Sequence, residues 1–143
     1  MWIIVGSITF RWHHTVLYLA DWPWAPAIVL FAVGIWIYSQ SGKHFSARQL
    51  GGLPEVVNGH REQQLVTSGI RGRVRHPVYL AHLCEMVGWS LGTGLAVCYL
   101  LTAFALITGA VMIRMEEAEL EQRFGREYAA YRRQVPSVWP RFR

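Results

Sequence analysis

Two short stretches of this chain hold residue types that could do chemistry together. The first is Arg75-His76-Pro77-Val78-Tyr79, which gathers a guanidinium, an imidazole and a phenol around a proline that marks a helix start. The second is Arg114-Met115-Glu116-Glu117, a cation followed by paired carboxylates. Between them the sequence is almost purely apolar, so the polar groups sit at the two ends of one apolar hairpin. If those ends meet at one membrane face, a basic-aromatic floor (Arg75, His76, Tyr79) opposes an acidic rim (Glu116, Glu117). Such a site suits a zwitterionic or cationic molecule bearing an aromatic ring.

Positioning these groups falls to the apolar segments. Of 143 residues 52% are hydrophobic and 16% charged, well below the usual quarter, which indicates a single membrane domain over 1–143. The formal charge of +5 alone would permit nucleic acid. The basic residues adjoin apolar spans, however, so anionic lipid headgroups are the expected partners and nucleic acid is not. Cys84 and Cys98 lie inside apolar runs as small hydrophobes, without metal or redox spacing. His13, His14, His44, His60 and His82 show no ligand spacing either, and no metal is expected. The N-terminus lacks the charged start and small-residue cleavage site of a signal peptide.

Met1 to Phe10 is apolar, Arg11-Trp12-His13-His14 interrupts, and Thr15 to Ala20 is apolar again. One helix through all of it would bury Arg11 near the bilayer centre at about 2.5–3.5 kcal/mol. The alternatives are snorkelling, pairing with a neighbouring helix, or an interfacial segment. Asp21-Trp22-Pro23-Trp24 reads as a turn at headgroup level. Pro26 to Tyr38, with its flanks, makes a span of about 20 residues ended by Ser41-Gly42. Lys43 to Arg75 is polar and glycine-bearing, a loop with at most short interfacial helices. Val78 to Leu91 is a helix begun by Pro77 and ended at Gly92-Thr93-Gly94. It covers only about 22 Å, less than the ~30 Å hydrocarbon core, so its basic start is drawn toward the membrane. Leu95 to Ile113 spans fully, and the helix continues through Phe124, lifting Glu116 and Glu117 to headgroup level. Arg126 to Gln134 is a short helix pinned to the bundle by Tyr128 and Tyr131.

The expected fold is therefore all-α, an integral membrane helical bundle of about four spans with a cytosolic loop and an extended C-terminal amphipathic helix. Six Lys and Arg lie between Lys43 and Arg75, seven follow Ile113, and Arg11 stands apart. An even number of spans separates the two basic segments, so they share a side, and the positive-inside rule makes it cytoplasmic. Counting back from the turn puts His76 and Tyr79 level with Ile107 to Ala110, about 10 Å below Glu116 and Glu117.

Leu65-Val66-Thr67-Ser68-Gly69-Ile70, the Arg75-His76-Pro77-Val78-Tyr79 box, Glu116-Glu117, Leu120, Phe124-Gly125, Tyr128, Tyr131 and Val135-Pro136 together resemble the C-terminal signature of the integral membrane methyltransferases. That superfamily includes isoprenylcysteine carboxyl methyltransferases and phospholipid N-methyltransferases. The resemblance implies S-adenosyl-L-methionine as methyl donor, held beneath the cytosolic face, and a lipophilic methyl acceptor. Phospholipid amine, prenylcysteine carboxylate, and a small hydrophobic amine or thiol all remain open, as does the oligomeric state.

By the resemblance Gly34, Arg75, His76, Pro77, Tyr79, Glu116 and Glu117 are candidate cofactor contacts, and His76, Glu117 and Arg114 are candidate catalytic residues. The glutamates suit the donor's ammonium, and Arg75 with amides near the Pro77 helix start suits its carboxylate. His76 is a candidate proton acceptor, and Arg114 is either a snorkelling anchor or a ligand contact. The family's Gly-x-Gly is Ala32-Val33-Gly34 here, so only its second glycine carries over, and Ala81 stands where glycine is frequent. Sterol and steroid reductases also resemble this architecture but use a nicotinamide cofactor, and they carry an acidic residue where this chain has His82. A non-catalytic membrane module that needs a partner subunit is the third alternative.

Overall fold

A computed structural model describes Ser7 and residues 14–42 and 65–139. The expected apolar start up to His13, with Arg11, and the loop over 43–64 lie outside the described residues. Among the described residues four α-helices follow in order: α1 Trp24–Gly42, α2 Pro77–Thr93, α3 Ala96–Phe124 and α4 Arg126–Gln134, with a 3-10 turn at Gly69–Gly72 ahead of α2. Among the described residues there is no strand, only an isolated bridge between Val16 and Leu95.

Local chemistry sets the helix ends. The Trp24 and Ala25 amides donate to the Asp21 and Trp22 carbonyls at 3.1 Å, closing the expected tryptophan-proline turn into α1. Pro77 begins α2, where its missing N–H costs nothing. Gly94, at φ 63°, ends α2 by donating its N–H to the Ser90 carbonyl, a left-handed cap that a side chain would strain. α3 then runs 29 residues to Gly125.

α2 lies antiparallel to both of its neighbours. Against α1, a Cβ on Gly34 would stand 3.2 Å from the Ala81 carbonyl oxygen, one on Gly88 would meet the Phe31 ring at 3.1 Å, and one on Gly92 would meet Trp24 at 2.7 Å. Small residues thus let the two backbones approach closely, with Ala27 and Ala81 fully buried in the seam. Against α3, the Ser90 and Thr102 hydroxyls hydrogen-bond at 3.0 Å near the turn, and the Tyr79 ring lies beside Gly109 farther along. The start of α2 and the far part of α3 are therefore brought to one end of the bundle.

Among the described residues two helices, α1 and α3, are long and apolar enough to cross a membrane, and only 22% and 17% of their most apolar windows are buried. A soluble core helix would be mostly covered. Here Ile28, Val33 and Trp36 on α1, and Leu106, Ile107 and Val111 on α3, face outward and form an apolar exterior. α2 has 17 residues, about 25 Å, and is short of the hydrocarbon thickness, as expected.

Of the alternatives for the first 20 residues, a single helix does not extend over Thr15 to Ala20. This run is non-helical and pairs with the α2–α3 turn: Leu17 N–H donates to the Gly94 carbonyl at 2.8 Å and Ala96 N–H to the Thr15 carbonyl at 2.9 Å. The Tyr18 hydroxyl donates to the Leu91 carbonyl at 2.6 Å and lies 2.9 Å from that of Tyr99. A two-residue turn between two helices leaves backbone groups unpaired in apolar surroundings, and this segment supplies their partners.

Candidate active site

The approach to α2 and the exit from α4 run side by side. Gly69, at φ 64°, opens the 3-10 turn, after which Arg73 and Val74 both donate their N–H to the Ile70 carbonyl at 3.0 Å. Arg75 N–H then donates to the Pro136 carbonyl at 3.0 Å and His76 N–H to that of Ser137 at 2.9 Å. The Tyr131 hydroxyl donates to the Arg71 carbonyl at 2.6 Å, so α4 is pinned as expected. Of the amides near the helix start, those of Arg75 and His76 are held by the C-terminal strap and are not offered to a ligand.

The side chains then converge. Arg75 Nη2 lies 2.6 Å from Glu117 Oε1, and both side chains are about nine-tenths buried. His76 bridges the glutamates, with Nε2 at 3.2 Å from Glu117 Oε1 and Nδ1 at 3.5 Å from Glu116 Oε2. The Tyr79 ring stands edge-on to His76, centroids 5.8 Å apart, with its hydroxyl in hydrogen-bonding reach of Glu116. Glu116 lies beyond the apolar part of α3; the His76 hydrogen bond holds its carboxyl below the ordinary range, against the opposing effect of partial burial.

The expected 10 Å gap between floor and rim is therefore closed. The axial count was sound, since Tyr79 does lie beside Gly109. It omitted the lean of side chains toward their own helix N-terminus. In an antiparallel pair the α2 residues reach up while Glu116 and Glu117 reach back down, and they meet.

The glutamates divide. Glu117 is buried, with Oε1 taken by Arg75, by His76 and by the Ser137 hydroxyl at 3.4 Å, while Oε2 lies 3.6 Å from Arg132. The Glu116 side chain stays 44% exposed. Pro77 is fully buried beneath the cluster. Gly34 lies deeper, against Ala81 and Glu85, where it sets the α1–α2 approach. Arg114 is exposed and forms no ion pair among the described residues, so the structure does not bring it to the cluster.

Arg132 and Ser137 were not singled out by sequence reasoning. Arg132 follows Tyr128 by four residues, one helical turn on the same side, and that spacing could have found it. Ser137 follows a proline, where no periodicity applies. Among the described residues, Arg75 Nε, Arg75 Nη1 and the Tyr128 hydroxyl are buried without a hydrogen-bond partner. Burial, then the Glu117 charge, pushes the Tyr128 hydroxyl up to about 12. A cavity of about 280 Å³ opens at this end of the bundle between Trp36, Gln40, Gly69, Ile70 and Arg73.

The profile of the phospholipid methyltransferase family matches residues 22–127, which take in α1, α2, α3 and, of the cluster, Arg75, His76, Tyr79, Glu116 and Glu117. The chain belongs to that family. It is similar to protein-S-isoprenylcysteine O-methyltransferase B of Arabidopsis thaliana, 36% identical over 89 residues, covering 59% of this chain and 43% of that protein. It is also similar to the cobalt-zinc-cadmium resistance protein CzcN of Cupriavidus metallidurans, 40% identical over 87 residues, covering 59% and 39%. A third relative is a Delta(14)-sterol reductase of Mus musculus, 37% identical over 98 residues, covering 66% and 23%. The chain spans less than half the length of each of these relatives.

Proposed function

We propose that the protein is an integral membrane methyltransferase that moves a methyl group from S-adenosylmethionine to a lipophilic acceptor, with its polar cluster at the cytoplasmic face. The observation that carries this reading is a matched pair of handles for an amino-acid headgroup. Arg75 is buried with two nitrogens that have no hydrogen-bond partner among the described residues, and Glu116 presents a reachable carboxylate nearby. The first suits a carboxylate and the second an ammonium. The residues present therefore fit the donor.

When bound, the donor supplies a sulfonium methyl for in-line displacement. The chain's own part is alignment, exclusion of water and charge placement. Glu117 holds Arg75 and His76 in position from a buried site. His76, with a carboxylate at each ring nitrogen, orients both glutamates, and it accepts a substrate proton only once one of those contacts opens. Tyr79 offers an aromatic edge and a hydroxyl beside Glu116. The close α1–α2 seam at Gly34 fixes the height of the box. The apolar exteriors of α1 and α3 give an acceptor access from the bilayer.

Titration calorimetry in detergent with S-adenosylhomocysteine tests this reading. A single saturable site is expected, and Glu117→Gln or His76→Ala should abolish methyl transfer in proteoliposomes while the fold persists. Absence of binding to folded wild-type protein would overturn it. The similarity to the mouse sterol reductase favours a second reading, a nicotinamide-dependent membrane reductase. At the place where such enzymes carry an acid, His82 hydrogen-bonds the Tyr38 hydroxyl at 2.7 Å. Protection against thermal unfolding by NADPH, with none by S-adenosylhomocysteine, would select the reductase.

A further inference from the structure

Tyr128 was expected only to pin α4, and its ring does so: it is fully buried, with the Tyr131 ring centroid 6.0 Å away. Its hydroxyl does something packing does not require. Among the described residues it is buried with no partner, as are Nε and Nη1 of Arg75. The two side chains belong to one neighbourhood. α4 carries Tyr131, which bonds the Arg71 carbonyl, and it leads into the strap that takes the Arg75 and His76 amides. Folded proteins pair nearly all such groups, so three unpaired ones together mark a place prepared for a partner.

The chemistry of that partner follows from which acceptors are already in use. Glu117 Oε1 faces Arg75 Nη2, His76 and Ser137, and Oε2 faces Arg132. The Pro136 and Ser137 carbonyls of the strap accept the Arg75 and His76 amides. The Arg75 nitrogens can only donate, and the phenol can donate as well. What completes the set is an acceptor that brings its own negative charge and more than one oxygen.

We infer that Tyr128 and Arg75 together form a buried oxyanion subsite, in which the phenol and the guanidinium donate to one carboxylate of a bound ligand. The inference rests on the methyltransferase reading and extends it to a residue outside the box and the glutamate pair. Two sources could deliver the carboxylate, the donor's amino-acid end or a prenylated cysteine acceptor.

Tyr128→Phe keeps the ring and removes only the hydroxyl. Calorimetry would compare wild type and variant with three probes: S-adenosylhomocysteine, 5′-methylthioadenosine, which lacks the amino-acid end, and N-acetyl-S-farnesylcysteine. If the donor fills the subsite, the variant binds S-adenosylhomocysteine about tenfold or more weakly and methylthioadenosine as wild type does. If the acceptor fills it, the loss appears with farnesylcysteine alone. Either pattern supports the subsite. Unchanged affinity for both carboxylate ligands overturns it, as does equal weakening of all three probes, which would mean the variant only loosens the fold.

The ligand-free proteins give a second readout. With no partner to lose, Tyr128→Phe should unfold at a temperature no lower than wild type, and a lower midpoint would show the hydroxyl already satisfied and overturn the inference. Wild type that binds farnesylcysteine but no S-adenosylhomocysteine would sink the donor reading and leave the subsite judged by the farnesylcysteine arm. Wild type that binds neither would sink both.

Discussion

Replacing Glu117 by leucine should cost far more than replacing any other glutamate near it. Its side chain is 10% exposed and that of its partner Arg75 is 7% exposed, so the substitution strands a guanidinium where water cannot reach it. Removing one member of such a buried pair costs about 3–5 kcal/mol. The same carboxylate also serves His76, Arg132 and Ser137, which places the loss toward the upper end. Glu121 is the control. It pairs with Arg132 at 3.0 Å, but both side chains are about half exposed, so Glu121→Gln should cost about 0–1 kcal/mol. Equilibrium unfolding in mixed micelles, followed by fluorescence of the seven tryptophans, measures both. The double variant Arg75→Met, Glu117→Leu removes the stranded charge with the pair, and it should be less destabilised than Glu117→Leu alone. A Glu117→Leu protein within about 1 kcal/mol of Glu121→Gln would refute the reasoning, because the cluster would then be solvated rather than closed.

Gly94→Ala should destabilise by about 1–3 kcal/mol in the same assay, since the residue sits at φ 63° and a Cβ would meet the Tyr18 carbonyl oxygen at 2.8 Å. Tyr131→Phe loses the bond to the Arg71 carbonyl, worth about 1 kcal/mol, and should speed tryptic cleavage after Arg71 and Arg73 more than it lowers global stability. Glu116→Gln should weaken S-adenosylhomocysteine binding about tenfold, whereas Arg114→Gln, on the exposed face, should leave it within about threefold by calorimetry. Because the folded-state value of Glu116 is lowered, its contribution to stability is present above the ordinary carboxylate range and is lost as pH falls through the depressed value. Acid titration of Glu116→Gln against wild type should show their difference shrinking over that interval, and a difference independent of pH would contradict the His76 contact.

The helix ends were legible because residues of special backbone chemistry mark them. Pro77 starts α2, Gly94 ends it and Gly125 ends α3, and each acts through its own φ or its missing N–H, which needs no knowledge of the rest of the fold. The small residues that seat α1 on α2 were legible in part: Ala81 reads as a packing position, whereas Gly34, expected as a cofactor contact, stands against the Ala81 carbonyl. The non-helical run from Thr15 to Ala20 was not. Val16, Leu17 and Leu19 read equally well as helix by hydropathy, and what decides is a partner far along the chain, the open backbone at Gly94 to Ala96. Ser137 and Arg132 escaped for the same reason. Their roles are set by a carboxylate on another helix, and nothing in their own neighbourhood announces it.

The paired glutamates show where a motif read as a unit misleads. Adjacent residues on a helix point about 100° apart, so two neighbours cannot meet the same environment unless the surroundings are uniform. Here they are not. α3 has α2 and the strap on one flank and the exterior on another, so Glu117 is turned into the arginine-histidine junction while Glu116 stays at its edge, reached by His76 Nδ1 and Tyr79 but still 44% exposed. One carboxylate holds the cationic residues in place; the other remains reachable by a ligand's positive charge. His76 couples the two roles because its opposite nitrogens touch one glutamate each. A ligand that draws Glu116 away would release one of those contacts, and only then could the imidazole take a proton from an acceptor. Substitutions at the two positions are therefore not interchangeable: loss at Glu117 should lower stability as well as activity, and loss at Glu116 should appear first in binding.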